Sequence, residues 1–338
     1  MTIKYLDAAT QGKNQWWRYV LILTIAPAIP ACCILIVLII CLQLFGNMNF
    51  SDLQNNVLVA KSIRTMTPWA LYLLSISFYS SMCACILLGI EKIHKRNFLS
   101  VICPNQGFNI GRYVNSFIVW LLISLLFRIF QIKLNYQDFQ DLKLVFNPLE
   151  WLIYLIPALV NSFIFASFTE IVRGYILQGL ALTIRHRYLV ILMSGLLSSV
   201  MLLSIYKFQY QCIVFYFILG IGLATSIVRE NGLELVLGIQ TAVSLVPRFL
   251  TYQSSEIPPS SLPTVFSINL NSQIASSVES IEIVTLLIKL AIFYAFFLRE
   301  PRTTNYWPLN IFFIVIEIIG RSISKFSEVT TCCIEIAH

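Results

Sequence analysis

The stretch FNPLEWLIYLIPALVNSFIFASFTEIVRGYILQGLALTIRHR, from Phe146 to Arg187, decides how the rest of the chain is read. Leu149 to Phe168 is a nearly continuous apolar run. It has the length, about 20 residues, that a helix needs to cross a ~30 Å hydrocarbon core. Trp151 stands at one end of it, where an aromatic ring favours the headgroup level, and the cations Arg185 and Arg187 follow the other. The run therefore reads as a membrane span.

Outward from it, seven further apolar runs follow the same rule: Tyr19 to Phe45, Trp69 to Ile90, Phe117 to Ile132, Tyr188 to Tyr206, Tyr210 to Val228, Leu233 to Val246 and Ile281 to Leu298. The third and seventh runs in chain order are short. Flanking polar residues can lengthen them, or they can pack inside the bundle, where lipid thickness matters less. Trp16, Trp17, Trp69, Tyr188 and Tyr210 also mark run ends. The expected fold class is all-α, a polytopic membrane helical bundle of about eight transmembrane helices.

Composition agrees. Of 338 residues 58% are hydrophobic and 12% charged, about half the charged share of an ordinary soluble domain. The net charge of +7 is not a nucleic-acid signature here, because the Lys and Arg residues sit mostly in short loops between apolar runs. With the N-terminus inside, inner segments hold 14 of them, including Lys4, Lys13, Arg18, Lys92, Lys95, Arg96 and Arg112. Outer loops hold six: Lys61, Arg64, Lys133, Lys143, Lys207 and Arg248. That asymmetry puts both termini in the cytoplasm. The first run is too long for a signal-peptide core and lacks a small-residue cleavage site, so it is expected to stay as a helix.

One membrane domain, 1–338, is expected. Within it the Ser-, Pro- and Asn-rich segment 251–280 is an outer loop, and 300–338 is a cytoplasmic tail in which Trp307 to Gly320 forms an interfacial helix. Of the nine cysteines, Cys32, Cys33, Cys41, Cys83, Cys85 and Cys212 fall inside apolar runs and read as small core residues. No sustained repeat is present, which weakens a transporter reading.

Ionisable groups within spans carry a functional prior because burying them is costly. Arg128, Glu170, Arg173, Glu234, Glu282 and Lys289 are the candidates. Glu170 and Arg173, three residues apart, share a helix face and can pair at the inner end of span four, either as a structural anchor or as part of a site. Glu282 and Lys289 lie two turns apart on one face and either pair across helices or snorkel.

The residues around this pair carry a resemblance. Arg173, Gly174, Tyr175, Gln178, Gly179 and Leu180, then RYLVILMSGLLSSVMLL from Arg187 to Leu203, then Gly220, Gly222, Gly232, Leu233, Glu234 and Leu235, follow one family's motifs in order and spacing. The chain resembles the CPBP family of intramembrane metalloproteases, the CAAX prenyl protease, bacteriocin-processing and abortive-infection group. The resemblance covers roughly 105–246. It implies a bacterial inner or internal membrane, and a site where a metal-activated water attacks a peptide carbonyl, with Glu as base and His and Glu as ligands.

This sequence departs from that pattern where the chemistry sits. The family's Glu-Glu pair corresponds to Phe168 and Thr169, with Glu170 one residue out of register, a turn of ~100° on a helix. The second motif's Phe and His correspond to Ser198 and Leu202, and the last motif's His and Asn to Gln240 and Ser244. The three histidines, His94, His186 and His338, all lie outside the expected spans.

The leading expectation is a degenerate family member, catalytically inactive, that binds a membrane protein or peptide partner without a cofactor. Glu170 and Arg173 mark the remnant catalytic motif; Gln240, Ser244, Ser198 and Glu234 are the expected binding residues, and Gln240 and Ser244, four apart on one helical face, line a polar hollow with Ser198, Ser199 and Glu170. These amides and hydroxyls equally serve as hydrogen bonds between helices. One alternative is an active endopeptidase of the same type, with zinc in an unconventional site built on Glu170, Glu234 and Gln240. Another is an ion-coupled transporter using Glu170, Arg173, Glu282 and Lys289. Partners other than the lipid bilayer are not named by the sequence, and nucleic acid is not expected.

Overall fold

A computed structural model describes residues 4–10, 12–45, 68–104, 107–135, 142–144, 148–184, 186–203, 210–253, 266–268 and 285–293. It divides into two compact units, Met1–Ala291 and Ile292–His338, and of the second only residues 292 and 293 are described.

The helices are α1 (Lys4–Asp7), α2 (Trp16–Phe45), α3 (Pro68–Lys92), α4 (Leu99–Ile102), α5 (Ile110–Asn135), α6 (Pro148–Thr183), α7 (Arg187–Leu203), α8 (Tyr210–Glu230) and α9 (Glu234–Leu250). Residues 285–293 form a further helical segment, α10. Among the described residues five helices are long and apolar enough to cross a membrane: α2, α3, α5, α6 and α8. The chain is thus a multi-pass membrane helical protein, and its apolar helix surfaces face lipid. Leu149, Leu152 and Ile156 on α6, and Leu73 and Leu88 on α3, are exposed, as apolar side chains turned toward acyl chains must be.

The expected short spans resolve in different ways. α5 is lengthened at both ends to 26 residues, from Ile110 to Asn135. α9, only 17 residues, is about 25 Å long. It survives because it is a core helix: Leu235, Val236, Leu237, Ile239, Ala242, Leu245 and Val246 are all buried. It packs on α5 and α6. Gly238 permits the approach to α5, since a Cβ there would strike Ser116 Oγ and the backbone of Tyr113 and Phe117. α7 has 17 residues as well and packs on α8. Of the expected eighth span only α10 is described; the expected interfacial helix at Trp307 to Gly320 lies outside the described residues, as does most of the 251–280 loop.

α6 is the hub. Its 36 residues extend about 54 Å, well beyond a hydrocarbon core, and it contacts α1, α2, α3, α4, α7, α8 and α9. Near its start Ala158 joins Tyr72 and Leu245 in a buried cluster, with Trp151, Tyr154 and Leu155 packed around it.

Beyond that end sits a three-stranded sheet absent from the sequence expectation. β1 (Leu142–Leu144) pairs antiparallel with β3 (Phe266–Ile268), which pairs parallel with β2 (Thr251–Gln253). Three-residue strands carry too little alternation to be read from sequence. The sheet joins the α5–α6 loop to the segment after α9. At the opposite end of α6, α1, a 3₁₀ turn at Ala8–Thr10, the 93–103 turn with α4, and the α8–α9 turn form a second layer.

The cysteine expectation is corrected in one respect. Cys32 and Cys33 on α2 are exposed rather than in the core, and Cys83 and Cys85 are half-buried. A thiol is apolar enough to face acyl chains.

Candidate functional site

Glu170 is fully buried on α6, and one of its carboxylate oxygens takes a hydrogen bond from Arg173 Nη1, so the expected i,i+3 ion pair is formed. Arg173 is itself buried and its Nε lies 3.4 Å from Ser198 Oγ of α7. Ser198 donates to the Ser194 carbonyl one turn back. The second Glu170 oxygen, Oε2, and Ser194 Oγ are buried without a hydrogen-bond partner. Glu170, Arg173 and Ser198 therefore form one intramembrane polar station.

The other sequence-derived residues lie elsewhere along α9. Ser244 Oγ is 3.4 Å from the Ser162 carbonyl of α6 and donates to the Thr241 carbonyl at 3.0 Å. Ser162 precedes Glu170 by eight residues, about 12 Å along α6, so Ser244 is displaced toward the sheet end. Gln240 is half-buried with its Oε1 unpartnered. Glu234 occupies the opposite end of α9, where its Oε1 accepts from the Cys103 thiol at 3.1 Å. A carboxylate in the first turn of a helix also meets the positive end of the helix dipole. Of the remaining intramembrane charges, Lys289 sits 5.6 Å above the Phe127 ring, a cation–π contact. The side chains of Arg128 and Glu282 lie outside the described residues.

The family's zinc does not fit this donor set. The single carboxylate at the centre is engaged by Arg173, and its neighbours are serines. Among the described residues no group of three or more His, Cys, Asp and Glu comes together. A zinc site needs three or four such donors converging.

The residues that carry the resemblance are engaged in something else: they seat the N-terminal layer. Tyr5 is fully buried. Its hydroxyl donates to the Val101 carbonyl at 2.6 Å and its amide donates to Asn231 Oδ1 at 3.0 Å. A side chain at Gly174 would strike the Tyr5 hydroxyl and Leu233, and one at Gly179 would strike the Tyr19 ring. Gln178 Nε2 donates to the carbonyls of Tyr5 and Ser100 at 3.2 and 2.8 Å. Tyr175 stacks on Tyr19 with ring centroids 4.7 Å apart.

His94, which as a loop histidine gave no functional signal in the sequence, joins this layer. It is fully buried, its Nδ1 is 2.7 Å from the Lys13 carbonyl and its Nε2 is 2.6 Å from the Tyr175 hydroxyl. The carbonyl can only accept, so Nδ1 carries the proton and Tyr175 donates to Nε2. Burial holds the His94 pKa below its ordinary value; the Lys13 carbonyl opposes this, and the cations Arg96 and Arg18 add to it. Burial likewise pushes the Cys103 thiol well up, with the Glu234 carboxylate adding to the effect, and pushes up the Tyr5 phenol. All three groups keep neutral, proton-bearing forms near neutral pH.

The only sequence signals that point to this layer are a histidine in the short basic turn KIHKR and the Asn-Gly pair at Asn231. Asn231 adopts a left-handed backbone, φ 54°, which Asn tolerates better than most residues. Arg112 also pairs with Glu230 here, tying α5 to the end of α8. Compared with protein families, curated proteins and solved structures, the chain gives no match.

Proposed function

We propose that this protein is a catalytically inactive member of the CPBP type, an eight-span bundle with its N-terminus in the cytoplasm, that holds a membrane protein or peptide segment without cleaving it. One observation carries the reading: Glu170, the carboxylate nearest the family's catalytic position, is buried and ion-paired to Arg173 on its own helix. A general base must be free to take a proton from water, and a carboxylate held by a guanidinium is a poor one. Gln240, half-buried with its Oε1 unpartnered, can take a hydrogen bond from a partner helix.

The small sheet supports placing the two loops it joins on one side of the membrane. β1 and the β2–β3 pair belong to the two segments that the Lys and Arg count puts on one side, the outside. The N-terminal layer, rich in Lys and Arg, then faces the cytoplasm.

The test is metal content of detergent-purified protein by mass spectrometry, together with cleavage of membrane-peptide substrates. The expected result is no zinc above background and no metal-dependent cleavage. About one zinc per chain, lost in Glu170→Ala, would overturn the reading in favour of an active protease.

A further inference from the structure

The turn between α3 and α4, residues 93–98, contains a buried cation that makes no hydrogen bond or ion pair through its guanidinium among the described residues. Arg96 is 5% exposed, and none of its three guanidinium nitrogens has a hydrogen-bond partner. Neither the Arg112–Glu230 nor the Arg173–Glu170 pair includes it. An uncompensated guanidinium in a protein interior is strongly unfavourable unless a counter-charge can reach it. Inward, its charge reaches the neutral His94 and Tyr5; the nearest inward carboxylates are already engaged, Glu170 by Arg173 and Glu234 by the Cys103 thiol.

Outward, the same turn walls a cavity of about 550 Å³ lined by Glu91, Lys95, Arg96, Asn97 and Phe98. The cavity is open to solvent rather than enclosed, so a ligand there meets the turn on one side only. Lys95 is exposed and has a left-handed backbone, φ 54°, a conformation rare for Lys and concentrated at functional turns. Asn97 Oδ1 is already occupied by the Leu99 amide at 2.9 Å, so its NH₂ remains as the donor. Glu91, exposed at the rim, is the one carboxylate in the wall, and solvent screens it. The turn follows directly on the last residues of an apolar span, where a span of that length meets the headgroup region.

We propose that this turn binds a phosphate-type oxyanion: Arg96 swings its guanidinium from the tyrosine layer into the cavity and forms a two-point contact, with Lys95 as second cation and the Asn97 amide as neutral donor. Guanidinium and phosphate match as fork to fork, which a lone ammonium cannot reproduce. The phosphate comes either from an anionic phospholipid headgroup or from free phosphate. This inference does not depend on whether the bundle is a protease, a binding scaffold or a transporter.

The experiment is thermal unfolding of the full chain in neutral detergent, with added phosphatidylglycerol, with phosphatidylcholine, and with inorganic phosphate against chloride at equal ionic strength. Phosphatidylglycerol should raise the midpoint by roughly 5 °C at a hundredfold excess over its dissociation constant, and phosphatidylcholine should not. The shift should vanish in Arg96→Gln, shrink in Lys95→Gln and persist in Arg187→Gln, which removes an exposed cation elsewhere. A shift with inorganic phosphate, again lost in Arg96→Gln, would assign free phosphate as the source. Reading the ligand-induced shift within each variant separates it from any change in the variant's own stability. No shift with either phosphate source in the wild type, or an equal shift in Arg96→Gln, would overturn the proposal.

Discussion

If the Tyr5 side chain anchors the N-terminal layer, then shortening it should release that layer and expose what lies beneath. Tyr5 is fully buried and its hydroxyl donates to the Val101 carbonyl, two residues before the buried Cys103. Removing a buried aromatic side chain costs about 3–5 kcal/mol, whereas removing one buried hydrogen bond costs ~1 to 3 kcal/mol. When a buried thiol reacts only through local opening, its labelling rate scales with the open fraction. Each ~1.4 kcal/mol is then a factor of ten. Tyr5→Ala should therefore speed maleimide labelling of Cys103 by roughly a hundredfold or more, and Tyr5→Phe by about fivefold or more, until opening saturates. Peptide-resolved mass spectrometry reads this directly, and Cys32 and Cys33, exposed on a span away from the layer, should keep their wild-type rates. Wild-type labelling of Cys103 in Tyr5→Ala, in protein that remains monodisperse and helical, would refute the docking.

Three further outcomes follow from the same geometry. Glu170→Gln leaves Arg173 as a buried, half-partnered cation and should destabilise the bundle by about 3–5 kcal/mol, seen as a lowered midpoint in detergent; the double variant Glu170→Leu with Arg173→Met should recover most of it. The His94 pKa is lowered in the folded state, so the neutral imidazole contributes stability that is full above the unfolded value of about 6.5 and is lost as pH falls through the folded value. Proteolysis of the N-terminal segment should accelerate between pH 7.5 and acid conditions in the wild type, and His94→Gln should flatten that dependence. Gly238→Leu places a side chain against the α5 backbone and should cost at least the 1–3 kcal/mol of overpacking, read as loss of monodisperse protein, while Gly238→Ala should be milder.

The membrane class was legible because it rests on run length, which needs no knowledge of packing. Leu149 to Phe168 is apolar whatever it touches, and α6 appears there. Span number was less legible: five helices are long enough to cross by themselves, while Leu233 to Val246 forms a 17-residue buried helix whose length alone does not say whether it crosses. The Glu170–Arg173 pair was readable because i,i+3 geometry is local. How Gln240 and Ser244 stand to Ser198 and Glu170 was not, because polarity on α9 says nothing about height along α6; Ser244 lies against the Ser162 carbonyl, eight residues before Glu170. The N-terminal layer was invisible for a related reason. Tyr5, His94 and Asn231 are separated by long sequence intervals, and single polar residues in loops carry no periodicity to connect them.

Motif likeness and chemistry need not survive together. In α6 the stretch Arg173 to Gly179 has two kinds of neighbour. One side meets Glu170 and Ser198 within the membrane, and the other receives Tyr5, Tyr19 and His94 at the N-terminal end. Gly174 and Gly179 are required on packing grounds alone, since any side chain there would displace a tyrosine. Gln178 is required because two backbone carbonyls of the docked segments depend on it. These demands remain even if Glu170 never takes a proton from water. They fix the Arg-Gly-Tyr and Gln-Gly pattern whatever the chemistry of the chain, because these residues hold the bundle's end together. A motif helix of this kind can thus be held for structural reasons, and resemblance at the seating residues is weaker evidence for catalysis than the identities at positions 168, 169, 202, 240 and 244, where this chain has Phe, Thr, Leu, Gln and Ser.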